Sequence, residues 1–280
     1  MSKPLRLGIF GWPVKHSKSP QMHEAAAKAV GLQLSYELFG VPPERLAEAV
    51  AEQHQAGIDG YNLTVPHKQA IMAEIDEVTP SARTIGAVNT VVRTEGRYVG
   101  HNTDAPGLVR SLEEAGVQLR GANVLILGAG GASRAAAVGL AEAEASKVVV
   151  LARRLEQAEA LASSLRAHLP CAIEAGPMKG AEPYFAEASV LVQATSATLA
   201  SNPGAGAFAA ALPMDSLDEA AAVVDMVYDP LETSVLARAK AHGAKTVDGL
   251  GMLLHQGAIA FEMWTGAQAP VEVMRKALEG

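Results

Sequence analysis

Short runs rich in β-branched residues alternate with longer alanine-rich stretches along this chain, and that alternation predicts an α/β architecture. In the first hundred residues, apolar runs at 5–10, 35–39, 59–64 and 87–92 predict strands, while 20–30, 43–55 and 82–85 predict helices. A helix is expected at 106–115, ending at Gly116 ahead of a new strand, so a domain border is placed near 104–121. Beyond it, strands are expected at 123–127 and 147–151, runs of Val, Leu and Ile after an initial Asn123 and Lys147, separated by an alanine-rich helical stretch. Strands apolar on both faces and joined by helices are what a parallel sheet covered on both sides requires. Further strands are expected at 190–194 and 222–227, a loop at 201–206, and two closing helices at 252–264 and 270–278.

The 280 residues are 49% hydrophobic, enough for real cores, yet only 4% aromatic, so packing rests on Ala, Val, Leu and Ile. A net charge of −7 without a Lys/Arg run excludes a general nucleic-acid binder and an anionic-membrane binder. No apolar run reaches the ~18 residues of a membrane span, and the glycine-broken start is too short for a secretory h-region. One cysteine, Cys171, excludes an internal disulfide framework and a multi-cysteine zinc site. A cytoplasmic protein is expected. No metal is expected either: His23-Glu24 is followed by Ala27 where a second zinc-binding histidine would stand.

The strongest local signal is the strand at 123–127 running into Gly128-Ala129-Gly130-Gly131-Ala132-Ser133 and then a helix. Glycines there allow a tight reversal and let backbone N–H groups approach a pyrophosphate at the helix N-terminus. Ser133 stands where the strict G-x-G-x-x-G fingerprint has its third glycine. The second strand ends in Arg153 and Arg154, where an NAD site places a carboxylate for the ribose hydroxyls. Two guanidiniums suit a 2′-phosphate instead, so the cofactor read here is NADP. The competing reading makes the pair the solvated start of the next helix.

Four polar clusters lie beside turn residues: 16–20, 61–68, 86–90 and 101–104. Ser17 and Ser19, two apart, face one side of an extended segment, although Ser19 also suits helix capping. Together the clusters offer hydroxyls, amides, an ammonium and a carboxylate, which suits a small polyhydroxylated acid.

The segments IFGWPVKHSKSPQMHEAA, GYNLTVPHK, IGAVNT, GHNTDAPG, LGAGGASRA and VYDPLETSVLARAKAHGAKTVDGLGMLLHQGAIAFEMWTG occur in that order. The chain resembles the shikimate dehydrogenase family, NADP-dependent enzymes that reduce 3-dehydroshikimate in aromatic amino-acid (chorismate) biosynthesis. The resemblance implies an N-terminal α/β substrate domain (1–104 with 249–280) and a Rossmann-like NADP domain (105–248). It implies Lys68 and Asp104 as the catalytic pair, and Ser17, Ser19, Thr64, Asn89, Tyr228 and Gln256 as further substrate-binding residues. Met226 and Gly249 join Gly128–Ser133, Arg153 and Arg154 in the cofactor set. A monomer or homodimer acting on a small molecule is expected. Rival readings are a quinate/shikimate dehydrogenase with relaxed substrate and cofactor use, another two-domain NADP enzyme of the methylene-tetrahydrofolate type, and a non-catalytic sensor of shikimate-like ligands. The run Gln193-Ala194-Thr195-Ser196-Ala197-Thr198-Leu199 departs from the family's Asn-Ala-Thr-Ser-x-Gly-Met, and Ala152 replaces an asparagine.

Overall fold

The computed structural model describes residues 4–280. The chain packs as two units, one running up to Thr103 and resumed by Leu254–Gly280, the other spanning Asp104–Leu253. The chain therefore leaves the first unit at Thr103 and re-enters it inside a helix. Residues 1–3 of the expected first domain lie outside the described residues.

The first unit holds β1 (Leu5–Gly11), α1 (Ser19–Ala29), β2 (Leu34–Gly40), α2 (Leu46–Gln55), β3 (Gly60–Leu63), β4 (Glu77–Val78), α3 (Pro80–Ile85), β5 (Thr90–Thr94) and β6 (Arg97–His101). Its sheet has the order β2-β1-β3-β5-β6-β4. β1 is parallel to both β2 and β3, whereas β5 runs antiparallel to β3 and β6, so this sheet is mixed. The strand expected at 87–92 begins three residues later, because Ala87–Asn89 serve the turn that follows α3. One face is filled by Phe10, Leu46, Val50, Ile58, Tyr61, Leu63, Ile71, Val88 and Val91.

The second unit holds α4 (Asp104–Glu114), β7 (Asn123–Leu127), α5 (Gly131–Glu142), β8 (Lys147–Ala152), α6 (Leu155–Leu165), β9 (Ala172–Pro177), α7 (Glu182–Glu187), β10 (Val190–Gln193), α8 (Ala205–Ala211), β11 (Ala222–Asp225), α9 (Ser234–His242) and β12 (Lys245–Val247). All its strand pairs are parallel, in the order β12-β11-β10-β7-β8-β9, with the topological switch between β7 and β10. Ala135, Ala136 and Ala137 are fully buried, so α5 lies close against its neighbours without large side chains. A Cβ on Gly139 would meet the Ala105 carbonyl oxygen at 2.8 Å, which sets how near α4 and α5 come. Asp104 and Gly249, expected in the first domain, belong to this unit by packing. Asp104 opens α4, which packs on α5, and a Cβ on Gly249 would touch the Val227 backbone at 2.7 Å.

The closing helices are α10 (Gly249–Thr265), which passes from the second unit into the first, and α11 (Val271–Glu279). Trp264 on α10 donates from its indole to the Val91 carbonyl at 2.9 Å, and its ring takes the space beside Gly60 where a Cβ would stand. Lys18 donates to Leu278 O at 2.8 Å and Gln21 to Ala277 O at 2.9 Å, fastening α11 beside α1.

His23 of α1 is fully buried in this unit, stacked on Tyr36 at 4.9 Å with the Trp264 edge at 5.2 Å, and neither ring nitrogen has a hydrogen-bond partner. Burial alone pushes its pKa from 6.5 down to about 3. Below pH 6.5 the unfolded chain therefore takes up a proton that the folded chain refuses, so His23 subtracts stability as the pH falls from 6.5 towards 3. The expected loss is roughly 2 kcal/mol between pH 6.5 and 5. His23→Leu should remove about one proton from the pH dependence of urea unfolding in that window; an unchanged slope would show that the ring ionises in the native state.

Candidate active site

In the first unit the expected substrate residues gather where β1 and β3 end. Trp12 N donates to Val65 O and Thr64 N to Phe10 O, at 3.0 and 2.9 Å, so the loops leaving the two strands are tied together. Ser17 N donates to Val14 O, and Ser17 Oγ accepts from Ser19 N at 3.3 Å. Ser19 does not cap the helix: it is the first residue of α1, the capping position is Lys18, and no side chain caps there. Its buried hydroxyl bonds the Tyr36 phenol instead, and Tyr36 donates to Asn62 Oδ1 at 2.6 Å.

Lys68 stands half-buried in the turn after β3. Its carbonyl accepts from Val88 N at 2.7 Å, and its neighbour His67, buried, donates from Nε2 to Val41 O at 2.7 Å. The backbone that carries the ammonium is thus fixed from two directions. Asn89 is buried and fully engaged: its Oδ1 accepts from Thr103 N at 2.7 Å, and its Nδ2 donates to Thr103 Oγ1 at 2.9 Å and Gln256 Oε1 at 3.4 Å. Asn62 Nδ2 supports it from below by donating to Asn89 O. The structure thus brings Asn89 and Gln256 together, and it holds the chain at Thr103, one residue before Asp104. Asp104 is buried in the first turn of α4, a position where a carboxylate is favoured by the helix dipole. His101 at the end of β6 is held below its usual pKa by burial.

In the second unit the glycine turn has the form a dinucleotide needs. Gly128 has φ +113°, and a Cβ there would press on Thr195 Cγ2 at 2.8 Å and Ser133 Oγ at 3.0 Å. Gly130 caps α5 in an extended conformation, and space is open around the place its Cβ would take. The first N–H groups of α5, at Gly131, Ala132 and Ser133, have no acceptor within the helix. Ser133 Oγ is buried without a hydrogen-bond partner. An open cradle at Gly130, amide donors without intrahelical acceptors and an orphaned hydroxyl fit a bound pyrophosphate. Ala129 continues the turn, half-buried. Gly128 N donates to Leu151 O at 2.8 Å, so the end of β8 lies next to this turn. Arg153 and Arg154 follow it, both exposed, with Arg154 supplying the backbone cap of α6.

Sequence reasoning assigned no role to a second group in this unit. Asp225, at the end of β11, is fully buried; its carboxylate accepts from Val227 N at 3.0 Å and Thr233 Oγ1 at 2.7 Å. Burial pushes its pKa up, and these hydrogen bonds oppose the shift. Gln193, buried at the end of β10, donates to Thr195 O, Thr198 Oγ1 and Asp225 Oδ1 and accepts from Thr195 N. The run that departs from the family pattern is therefore an ordered 3-10 turn capped by Thr195. The signal available in the sequence was a carboxylate and an amide each closing an otherwise apolar strand.

Among the described residues no group of His, Cys, Asp or Glu would hold a metal ion, and no helix is long and apolar enough to cross a membrane.

Comparison with known proteins matches most of the chain to family models. The shikimate dehydrogenase substrate binding domain matches residues 9–91, shikimate / quinate 5-dehydrogenase matches 110–228, and the shikimate 5′-dehydrogenase C-terminal domain matches 249–279. The shikimate dehydrogenase (NADP(+)) of Symbiobacterium thermophilum is 45% identical, over 97% of this chain and 92% of the relative. Shikimate 5-dehydrogenase from Thermus thermophilus, solved with NADP(H) and shikimate, is 41% identical with a TM-score of 0.85 and covers 98% of both chains. Quinate dehydrogenase from Corynebacterium glutamicum, solved with NAD, shares the architecture at 32% identity and a TM-score of 0.89 over 99% of both chains.

Proposed function

The chain belongs to the shikimate dehydrogenase family, and from that premise we propose how its own residues carry out the NADP-dependent, reversible reduction of 3-dehydroshikimate to shikimate. The observation that carries this reading is agreement over 97% of the chain with an NADP-dependent relative, in a sequence that has Lys68, Asp104, the glycine turn and Arg153.

When bound, NADPH supplies the hydride that becomes the new C–H bond. Lys68 provides the other half of the reduction: its ammonium gives a proton to the ketone oxygen, and the neutral amine takes it back in the oxidation direction. Asp104 completes the pair by accepting hydrogen bonds and orienting the ring hydroxyls. Ser17, Ser19, Thr64, Asn89, Tyr228 and Gln256 bind the substrate's remaining polar groups; the Asn89–Gln256 contact supports a shared task for those two. The first turn of α5 holds the pyrophosphate, with Ser133 Oγ as a further donor, and Arg153 with Arg154 takes the 2′-phosphate. Met226 and Gly249 line the same cofactor set. The parts form a substrate domain and an NADP domain, acting in the cytoplasm as a monomer or homodimer within aromatic amino-acid biosynthesis.

Incubation with shikimate and NADP+ should produce the NADPH absorbance, with quinate and NAD+ much slower. No NADPH from NADP+ and no NADH from NAD+ with shikimate would overturn the reading in favour of a ligand sensor, and equal rates with quinate would favour the relaxed dehydrogenase.

A further inference from the structure

The sheet order fixes which half of a bound dinucleotide each loop meets. The glycine turn follows β7, and the arginine pair follows β8 on one side of it. With the pyrophosphate over the turn and the 2′-phosphate at the arginines, the rest of the cofactor extends the other way, over the ends of β10 and β11. Those ends carry the two loops, 195–199 and 226–228, that meet at Asp225 and Gln193.

We propose that Asp225 is a positioning residue for hydride transfer: with Gln193 it locks the two loops into one surface that receives the nicotinamide end of the cofactor. This rests on the dehydrogenase reading above. Asp225 Oδ1 holds Val227 N, inside the second loop, and Oδ2 holds Thr233, whose Oγ1 also caps α9 by accepting from Leu236 N at 3.2 Å. Gln193 connects that carboxylate to the first loop through Thr195 and Thr198. Two backbone bonds repeat the connection, Met226 N to Gln193 O at 2.9 Å and Ala200 N to Asp229 O at 3.1 Å. Every hydrogen bond to the carboxylate asks it to accept. An amide in its place keeps one acceptor and removes the negative charge, so the charge-assisted bonds from Val227 N, Gln193 and Thr233 all weaken and the Thr233 hydroxyl must reverse its direction. The partners of the carboxylate named here, Val227, Thr233 and Gln193, lie outside the glycine turn and the arginine pair, with only Thr195 packed beside Gly128, so the adenosine half should sense the change far less than the nicotinamide end.

Asp225→Asn is the first variant, and Thr233→Val the second, with Thr233→Ser as the conservative rescue. Hydrogen bonds to a charged group predict a fall in kcat/KM for NADP of roughly 10- to 100-fold in Asp225→Asn. Thr233→Val should fall about tenfold, and Thr233→Ser should stay near the wild type. The discriminating readout is calorimetric affinity for 2′,5′-ADP, which carries the adenosine half without nicotinamide and should stay within about twofold in all three. Full kcat/KM in Asp225→Asn would overturn the proposal. So would a matching loss of 2′,5′-ADP affinity, which would mark Asp225 as a general support of the fold. If Asp225→Asn fails to fold, the Thr233 pair decides by the same two readouts. Wild-type protein without shikimate oxidation would remove the dehydrogenase reading itself, and this proposal with it; an active wild type with unaffected variants removes only the proposal.

Discussion

Lys68→Ala is expected to lower kcat for shikimate oxidation by roughly 10²–10⁴-fold while changing the shikimate KM little, the range seen when a general acid–base group is removed. The expectation follows from how the residue is mounted. Its main chain is held by Val88 N, and His67 is anchored to Val41, so truncating the side chain leaves the turn in place. What disappears is the proton carrier. Lys68→Arg should not restore the rate, because a guanidinium keeps its proton throughout the accessible pH range and cannot accept one from the substrate hydroxyl. Steady-state kinetics on the two variants decide the matter. A strong rise in KM with kcat maintained would make Lys68 a binding group and leave the proton step without an owner.

Arg153→Ala carries the second largest expected effect, on cofactor choice. A hydrogen bond to a charged group contributes roughly 1.5–3 kcal/mol, so one arginine on the 2′-phosphate favours NADP over NAD by roughly 10- to 150-fold. The guanidinium is exposed, which places the effect towards the lower end and makes it weaken with added salt. Arg153→Ala should weaken NADP and leave NAD nearly unchanged. Arg154, whose side chain takes no part in capping α6, has the smaller expected share. Titration of both cofactors against both variants, at low and high salt, tests this; a wild type that binds NAD as well as NADP refutes the arginine assignment.

The parts of the molecule that were readable in advance share a physical reason. β7, β8, β10 and β11 are buried on both faces, so their sequences are apolar runs with a polar residue at one end only. β6, β9 and β12 escaped notice for the opposite reason. β9 is a sheet edge whose residues are half exposed, β6 mixes Arg97 and His101 with two inward residues, and β12 has only three residues. At the site, Ser17, Lys68 and Arg153 stood out as candidates because polar residues at turns have few structural duties to compete with a chemical one. Asp225 and Gln193 were not, because their meaning depends on β10 lying beside β11, a fact of topology. The altered run at 193–199 looked like a loss when read as missing glycine and methionine; the structure shows Gln193 bonded to both ends of the turn that stands there.

The interrupted first unit has a consequence for how this protein comes into being. During synthesis the second unit is complete before Leu254 has left the ribosome, while the first still lacks α11 and most of α10. Until then the groove beside Gly60 has no indole, His23 lacks two of its aromatic neighbours, and Asn89 waits for Gln256. The nascent chain therefore completes its second unit first and its first unit last. Trp264, one of only two tryptophans, reports the moment of completion, since its emission should shift when the indole seats against Val91. A chain released early would carry every residue of the second unit but a first unit without Phe261, Trp264 and Gln256.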